Sequence, residues 1–124
     1  MGQQRYIVEL GMGIDLHGQD ATHAARRAVR NAISNNCLCG LSEIFHIQNP
    51  NEEMFVHVLI ACPTPDEVDT QAVLNELPFG VKTIEVKQGG MLAPGLYVPQ
   101  LGDKSPDALV AIASVTVSVN KNHE

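Results

Sequence analysis

The chain has 124 residues, 44% hydrophobic and 18% charged, and its 8 basic side chains against 14 acidic ones leave a net charge of −6. That balance argues against a binder of nucleic acid or of anionic membrane surfaces. No apolar run approaches the roughly 20 residues that span a bilayer. Length and composition indicate one globular domain over residues 1–124, resting on Val, Ile, Leu, Ala and Met because tryptophan is absent and aromatics are few. The start MGQQRYIVEL has no basic segment, long apolar stretch or small-residue cleavage site, so a cytoplasmic location is expected. An odd set of cysteines, Cys37, Cys39 and Cys62, fits free thiols in a reducing compartment. Cys37 and Cys39 lack the C-x-x-C spacing of common zinc sites and a second Cys pair, and read as small buried apolar residues before metal ligands.

Residues Tyr6 to His17 alternate and predict the first strand. Tyr6, Val8, Leu10, Met12, Ile14 and Leu16 form a continuous apolar side. Ile7, Glu9, Gly11, Gly13, Asp15 and His17 form a side that is polar at its ends and bare in its middle. Asp20 then caps a helix over ATHAARRAVRNAIS, with Ala25, Val29, Ala32 and Ile33 toward the core and Asn35–Asn36 at its end. A second strand is expected from about Leu41 to Ile47. A third, MFVHVLIAC from Met54 to Cys62, is nearly all apolar and predicts a central strand buried on both faces. A second helix follows, with Thr64 as cap, Pro65 in first position and Glu67 closing a capping box. Strands are expected again from Val81 to Lys87 and from Ala108 to Val119.

The resulting order, β-α-β-β-α-β with a further C-terminal strand, is an α+β sandwich of ferredoxin-like or chorismate-mutase-like type, with two helices on one sheet face. The other sheet face is then bare in a single copy. The economical cover is a second copy, so the chain is expected to partner itself as a homo-oligomer, a trimer or higher. Between the last strands lies QGGMLAPGLYVPQLGDKSPD, residues 88–107, a Gly/Pro-rich loop too apolar for a solvated linker and so expected to dock on its own or a neighbouring subunit. The final residues, 120–124, read as a polar tail.

The chemistry concentrates in GMGIDLHG, Gly11 to Gly18. On a strand, Asp15 and His17 project to one side about 7 Å apart and converge on one ion or substrate atom. Imidazole plus carboxylate suits zinc, manganese or iron when a third ligand arrives from elsewhere. Without metal, His17 is a general acid/base oriented by Asp15. Gly11 and Gly13 clear space for a ligand or for another backbone, and Gly18 leads into a helix N-terminus that favours an anion. Arg26, with Arg27 and Arg30, offers a local anion-attracting patch, and Gly89–Gly90 a wall or lid. Glu9 lies about 20 Å from Asp15 along the strand, too far to share an ion, and is a second carboxylate deeper in a groove. His57 reads first as a satisfied core histidine.

GMGIDLHGQDATHAARRAVRNAI resembles the signature of a family of conserved hypothetical bacterial and plant proteins with G-x-G-x-D-x-H-G near the N-terminus. Gly11, Gly13, Asp15, His17 and Gly18 match it, and the likeness extends more faintly through MFVHV, QGGML and the last strand. That resemblance implies no activity. The same strand motif is similar to the methylerythritol cyclodiphosphate synthases, small trimeric enzymes. This likeness implies that Asp15 and His17 are divalent-metal ligands, with His46 or His57 as the third. The reading that follows is an enzyme acting on a small anionic molecule at a subunit boundary. The alternative is a non-catalytic module that binds a metabolite or metal.

Overall fold

A computed structural model describes residues 2–120; residues 121–124 of the expected polar tail lie outside them. The chain runs β1 (Gln3–Asp15), α1 (Ala21–Ile33), two short helices α2 (Cys39–Glu43) and α3 (Pro50–Glu53), β2 (Met54–Cys62), α4 (Thr70–Leu74), β3 (Val81–Gln88), β4 (Met91–Pro94) and β5 (Asp107–Asn120). The five strands form one mixed sheet in the order β1-β5-β2-β3, with β4 extending from the β2 side of β5. β5 is antiparallel to β1, β2 and β4, whereas β2 and β3 run parallel. The architecture is therefore α+β, with α1 and α4 packed on the same sheet face.

That covered face explains the alternation of the sequence. Leu109, Ala111, Ala113, Val115, Val117 and Val119 of β5 and Met54, Val56, Val58, Ile60 and Cys62 of β2 point into it. They meet Ala21, Ala24, Ala25, Ala28, Val29 and Ala32 of α1. Each fully buried Val or Ile contributes roughly 1.5–3 kcal/mol through removal of apolar surface from water. On the opposite face Val8, Leu10, Met12 and Ile112 stand 45–71% exposed, so the apolar side of β1 from Val8 to Met12 looks outward and its glycine side looks into the protein. Tyr6, at the register shift between Arg5 and Ile7, packs against the core. Phe55, His57 and Leu59 share this open face by register with Ser118, Thr116 and Ser114. β2 is thus central in the sheet, but the expectation that both its faces are buried is corrected.

Three local expectations also change. Residues 41–47 are not a strand: α2 and a turn occupy them, with His46 at φ 54°. A short apolar run cannot by periodicity alone tell a strand from a buried helical turn, and here Leu41 anchors the helix in the core. The helix expected from Thr64 is divided. Pro65–Glu67 makes one 3-10 turn, Val68 is extended, and α4 starts only after Asp69, whose carboxylate accepts the Ala72 N–H. Thr64 Oγ1 is buried with no hydrogen-bond partner among the described residues, so the nearer cap wins. Within 88–107, β4 pairs with β5 through Met91↔Val110 to Pro94↔Asp107, and Pro99–Leu101 forms a 3-10 turn closed by Gly102. No helix among the described residues is long and apolar enough to cross a membrane.

Candidate functional site

The bare side of β1 is a docking strip for α1. A Cβ at Gly13 would lie 2.1 Å from Ala24 O and 2.4 Å from Ala28 N; one at Gly11 would lie 2.3 Å from Ala28 O and 2.4 Å from Ala32 N. Two residues along a strand advance roughly 6.7 Å and four along a helix roughly 6 Å, so Gly13 and Gly11 keep step with Ala24, Ala28 and Ala32. The space these glycines open is therefore taken by helix backbone, which corrects their assignment to a ligand.

Asp15 continues the strip at the start of the helix. Its side chain is buried, and Oδ2 accepts the Asp20 N–H at 2.7 Å, while Oδ1 lies 3.4 Å from His23 Nδ1 and 3.6 Å from Arg27 Nη1. Arg27 also donates to Ile14 O at 2.6 Å. Asp20 in turn accepts the His23 N–H. The chain's own carboxylates thus occupy the anion-favouring helix start.

β1 ends at Asp15, so the alternation that would align Asp15 with His17 stops there. His17 turns instead to Asp103, 86 residues away, with Nδ1 2.9 Å from Oδ2. Asp103 is the site residue that sequence reasoning missed. Its carboxylate is fully buried and also accepts the N–H groups of Gly18 (2.9 Å) and Val98 (2.7 Å) and the Gln19 side-chain amide (3.2 Å). Burial opposes ionisation here, but the hydrogen bonds from His17, Val98, Gly18 and Gln19 outweigh it and hold the carboxyl well below its ordinary value. An ionised carboxylate only accepts, so Nδ1 of His17 carries the hydrogen and Nε2 is left as the basic nitrogen. The imidazole is one-third exposed. Gln19 ties the two segments further, donating to Asp107 O and accepting the Lys104 N–H.

Gly18, at φ 94°, sits between the two acids: its N–H meets Asp103, and the space beside its α-carbon opens toward Asp15 Oδ2. Two carboxylate–imidazole pairs, Asp103–His17 and Asp15–His23, therefore flank one residue. The acids are buried, while His17, His23 and Arg27 are part-exposed.

The remaining expected residues lie elsewhere. Arg26 and Arg30 both bind Glu76 after α4, with Arg26 Nε 2.7 Å from Glu76 Oε2, so Arg26 is not a free substrate group. Burial disfavours the Glu76 carboxylate, yet these two arginines hold its pKa below the ordinary value. Gly89 and Gly90 form the tight β3–β4 turn, where added β-carbons would strike Ala61 Cβ and Val110 O. His57 is half-exposed on the open sheet face, bonded to Thr83 Oγ1 at 2.7 Å; it is neither a core histidine nor a neighbour of the His17 site. Cys62 is buried as expected, but Cys37 and Cys39 are exposed. Among the described residues no three His, Cys, Asp or Glu side chains converge as a metal-ligand set. With Asp15 and His17 each committed to other partners, the ligand set implied by the synthase likeness does not assemble.

Comparison with known proteins agrees with this fold. A solved structure described as an FtsZ-like protein of unknown function, from Nostoc punctiforme PCC 73102, is similar over 98% of this chain and 99% of that chain, with 49% sequence identity and a TM-score of 0.88. No curated protein matches the chain. Residues 5–117, which include both carboxylate–imidazole pairs, match the model of a family of conserved hypothetical proteins. The chain belongs to that family, Lin0512_fam.

Proposed function

We propose that the chain is an enzyme acting on a small molecule that carries an anionic group, with His17 as general acid/base and Asp103 as the residue that orients it. The observation that carries this reading is the buried, four-times hydrogen-bonded Asp103 carboxylate set against a part-exposed imidazole. It fixes the tautomer and leaves Nε2 to take a proton from substrate and return it. Such proton transfer accelerates reactions by roughly 10²- to 10⁴-fold. Arg27, part-exposed beside the buried Asp15 and bonded to Ile14 O, is the cation nearest the pair and suits an anionic substituent, with the His23 ring as a further hydrogen-bonding group.

The site lies at a boundary between copies of the chain in this reading. Leu16 beside His17, and Leu96, Tyr97 and Leu101 in the loop that carries Asp103, are all more than half exposed, and a neighbouring subunit covers them. The test is incubation of the protein with a panel of phosphorylated and carboxylated metabolites, read by mass spectrometry. Turnover of one panel member that falls at least 100-fold in His17→Gln is the expected result. Equal turnover by His17→Gln overturns the assignment. Binding without turnover favours the non-catalytic module.

A further inference from the structure

The strip along β1 does not end with the glycines. One step past Gly11 comes Glu9, and one helical step past Ala32 comes Asn36, already beyond the end of α1 at Ile33. Where the helix stops, the space between it and the sheet opens into a cavity of about 470 Å³, within the roughly 300–1,000 Å³ of small-molecule sites. Its floor is β-sheet, including Val115 and Val117; its walls are the segment from Asn36 to Ile47 and the chain leaving α4 at Leu77.

Among the described residues Glu9 is the only charged one that lines this cavity. It is 6% exposed, and its Oε2 accepts the Asn36 side-chain amide. Among the described residues that amide is its one hydrogen-bond partner, and Oε1, which is not sealed from solvent as Thr64 Oγ1 is, has no partner from the chain at the cavity wall. A carboxylate at the wall of an apolar hollow, with one oxygen open to the cavity and no partner from the chain, is a ready acceptor for a donor that enters there, and preferably for a cation. Among the described residues the lining contains no Lys, Arg or His to provide it.

We infer that this cavity binds a small molecule with an apolar body and a single ammonium head, the head pairing with Glu9 and the body lying against residues such as Leu38, Leu41 and Val117. The site is separate from the His17 region, about 20 Å away along β1, and does not depend on the function proposed there.

Three probes share one apolar body and differ only in the head: cyclohexylmethylamine, cyclohexylmethanol and cyclohexanecarboxylate. Each is titrated into the full chain by calorimetry and by amide NMR. The amine is expected to bind at least tenfold tighter than the alcohol, to shift the amides of residues 36–42 and 115–117, and to bind His17→Gln unchanged, while the carboxylate does not bind. Glu9→Gln is expected to reduce the amine to the level of the alcohol. Ser42→Phe, at the exposed rim, is expected to block both and keeps the test decisive if Glu9→Gln does not fold. Equal binding of the three probes, no binding of the amine, shifts confined to other regions, or an amine affinity unchanged in folded Glu9→Gln overturns the inference.

Discussion

Asp103 is unusual for an acid in a surface loop, because four donors aim at it and solvent does not reach it. Its carboxyl titrates below the ordinary range in the folded chain, so the unfolded chain takes up that proton first as pH falls. The stabilisation is therefore complete above about pH 5 and is lost progressively as acid drives the pH down through the ordinary carboxylate range and beyond. Asp103→Asn keeps the shape and removes the charge. Its thermal midpoint is expected to fall less steeply between about pH 5 and pH 2 than that of the parent chain, as followed by circular dichroism. The pairing itself was not legible. Asp103 is one of two acids in a Gly/Pro-rich loop, and nothing local ties it to a histidine 86 residues earlier. Asp15 was the natural choice by spacing, and it loses that role only because β1 ends there and its oxygens serve the start of α1.

At the level of elements, the alternation of β1, the apolar run of β2, the strand at 81–88 and the last strand were all readable, as was α1 from its cap at Asp20. Periodicity reports which residues share a side, but not which side is packed. The apolar side of β1 resembles a core face, yet two glycines on the other side permit an alanine helix to approach so closely that burial goes there. Gly13→Ala sets a methyl against helix backbone, which cannot yield without moving α1. It is expected to cost about 3 kcal/mol, a drop in Tm of roughly 10 °C, measured by differential scanning calorimetry. Asp20→Ala removes only the bond to His23 N–H and is expected to cost about 1 kcal/mol. A larger loss for Asp20 than for Gly13 would contradict the packing account.

The whole molecule leaves one side of its sheet to solvent, and the exposed residues there are apolar around β1 and β5 but mostly polar across β2 and β3, where His57, Thr83 and Glu85 lie beside Val81. We propose that the apolar portion is where copies of the chain meet. Light scattering coupled to size exclusion is expected to give a mass above that of one chain, and Leu10→Glu to return it to one. Leu10 is 71% exposed, so the substitution should alter the stability of the single fold by less than about 0.5 kcal/mol. A parent chain that elutes as one copy removes both this contact and the boundary site.

β5 has a further consequence for how the chain acquires its shape. It is the strand against which β1 lies, and it joins β1 to β2 while also holding β4. During synthesis the first strand therefore waits, with its edge unpaired, until residues 107–120 have left the ribosome. Closure comes late, and through contacts distant in sequence, which makes for slow folding. Early release of a shortened product would leave both β1 and β2 without the neighbour they share, and such fragments should be found in inclusion bodies or degraded rather than as a smaller folded protein.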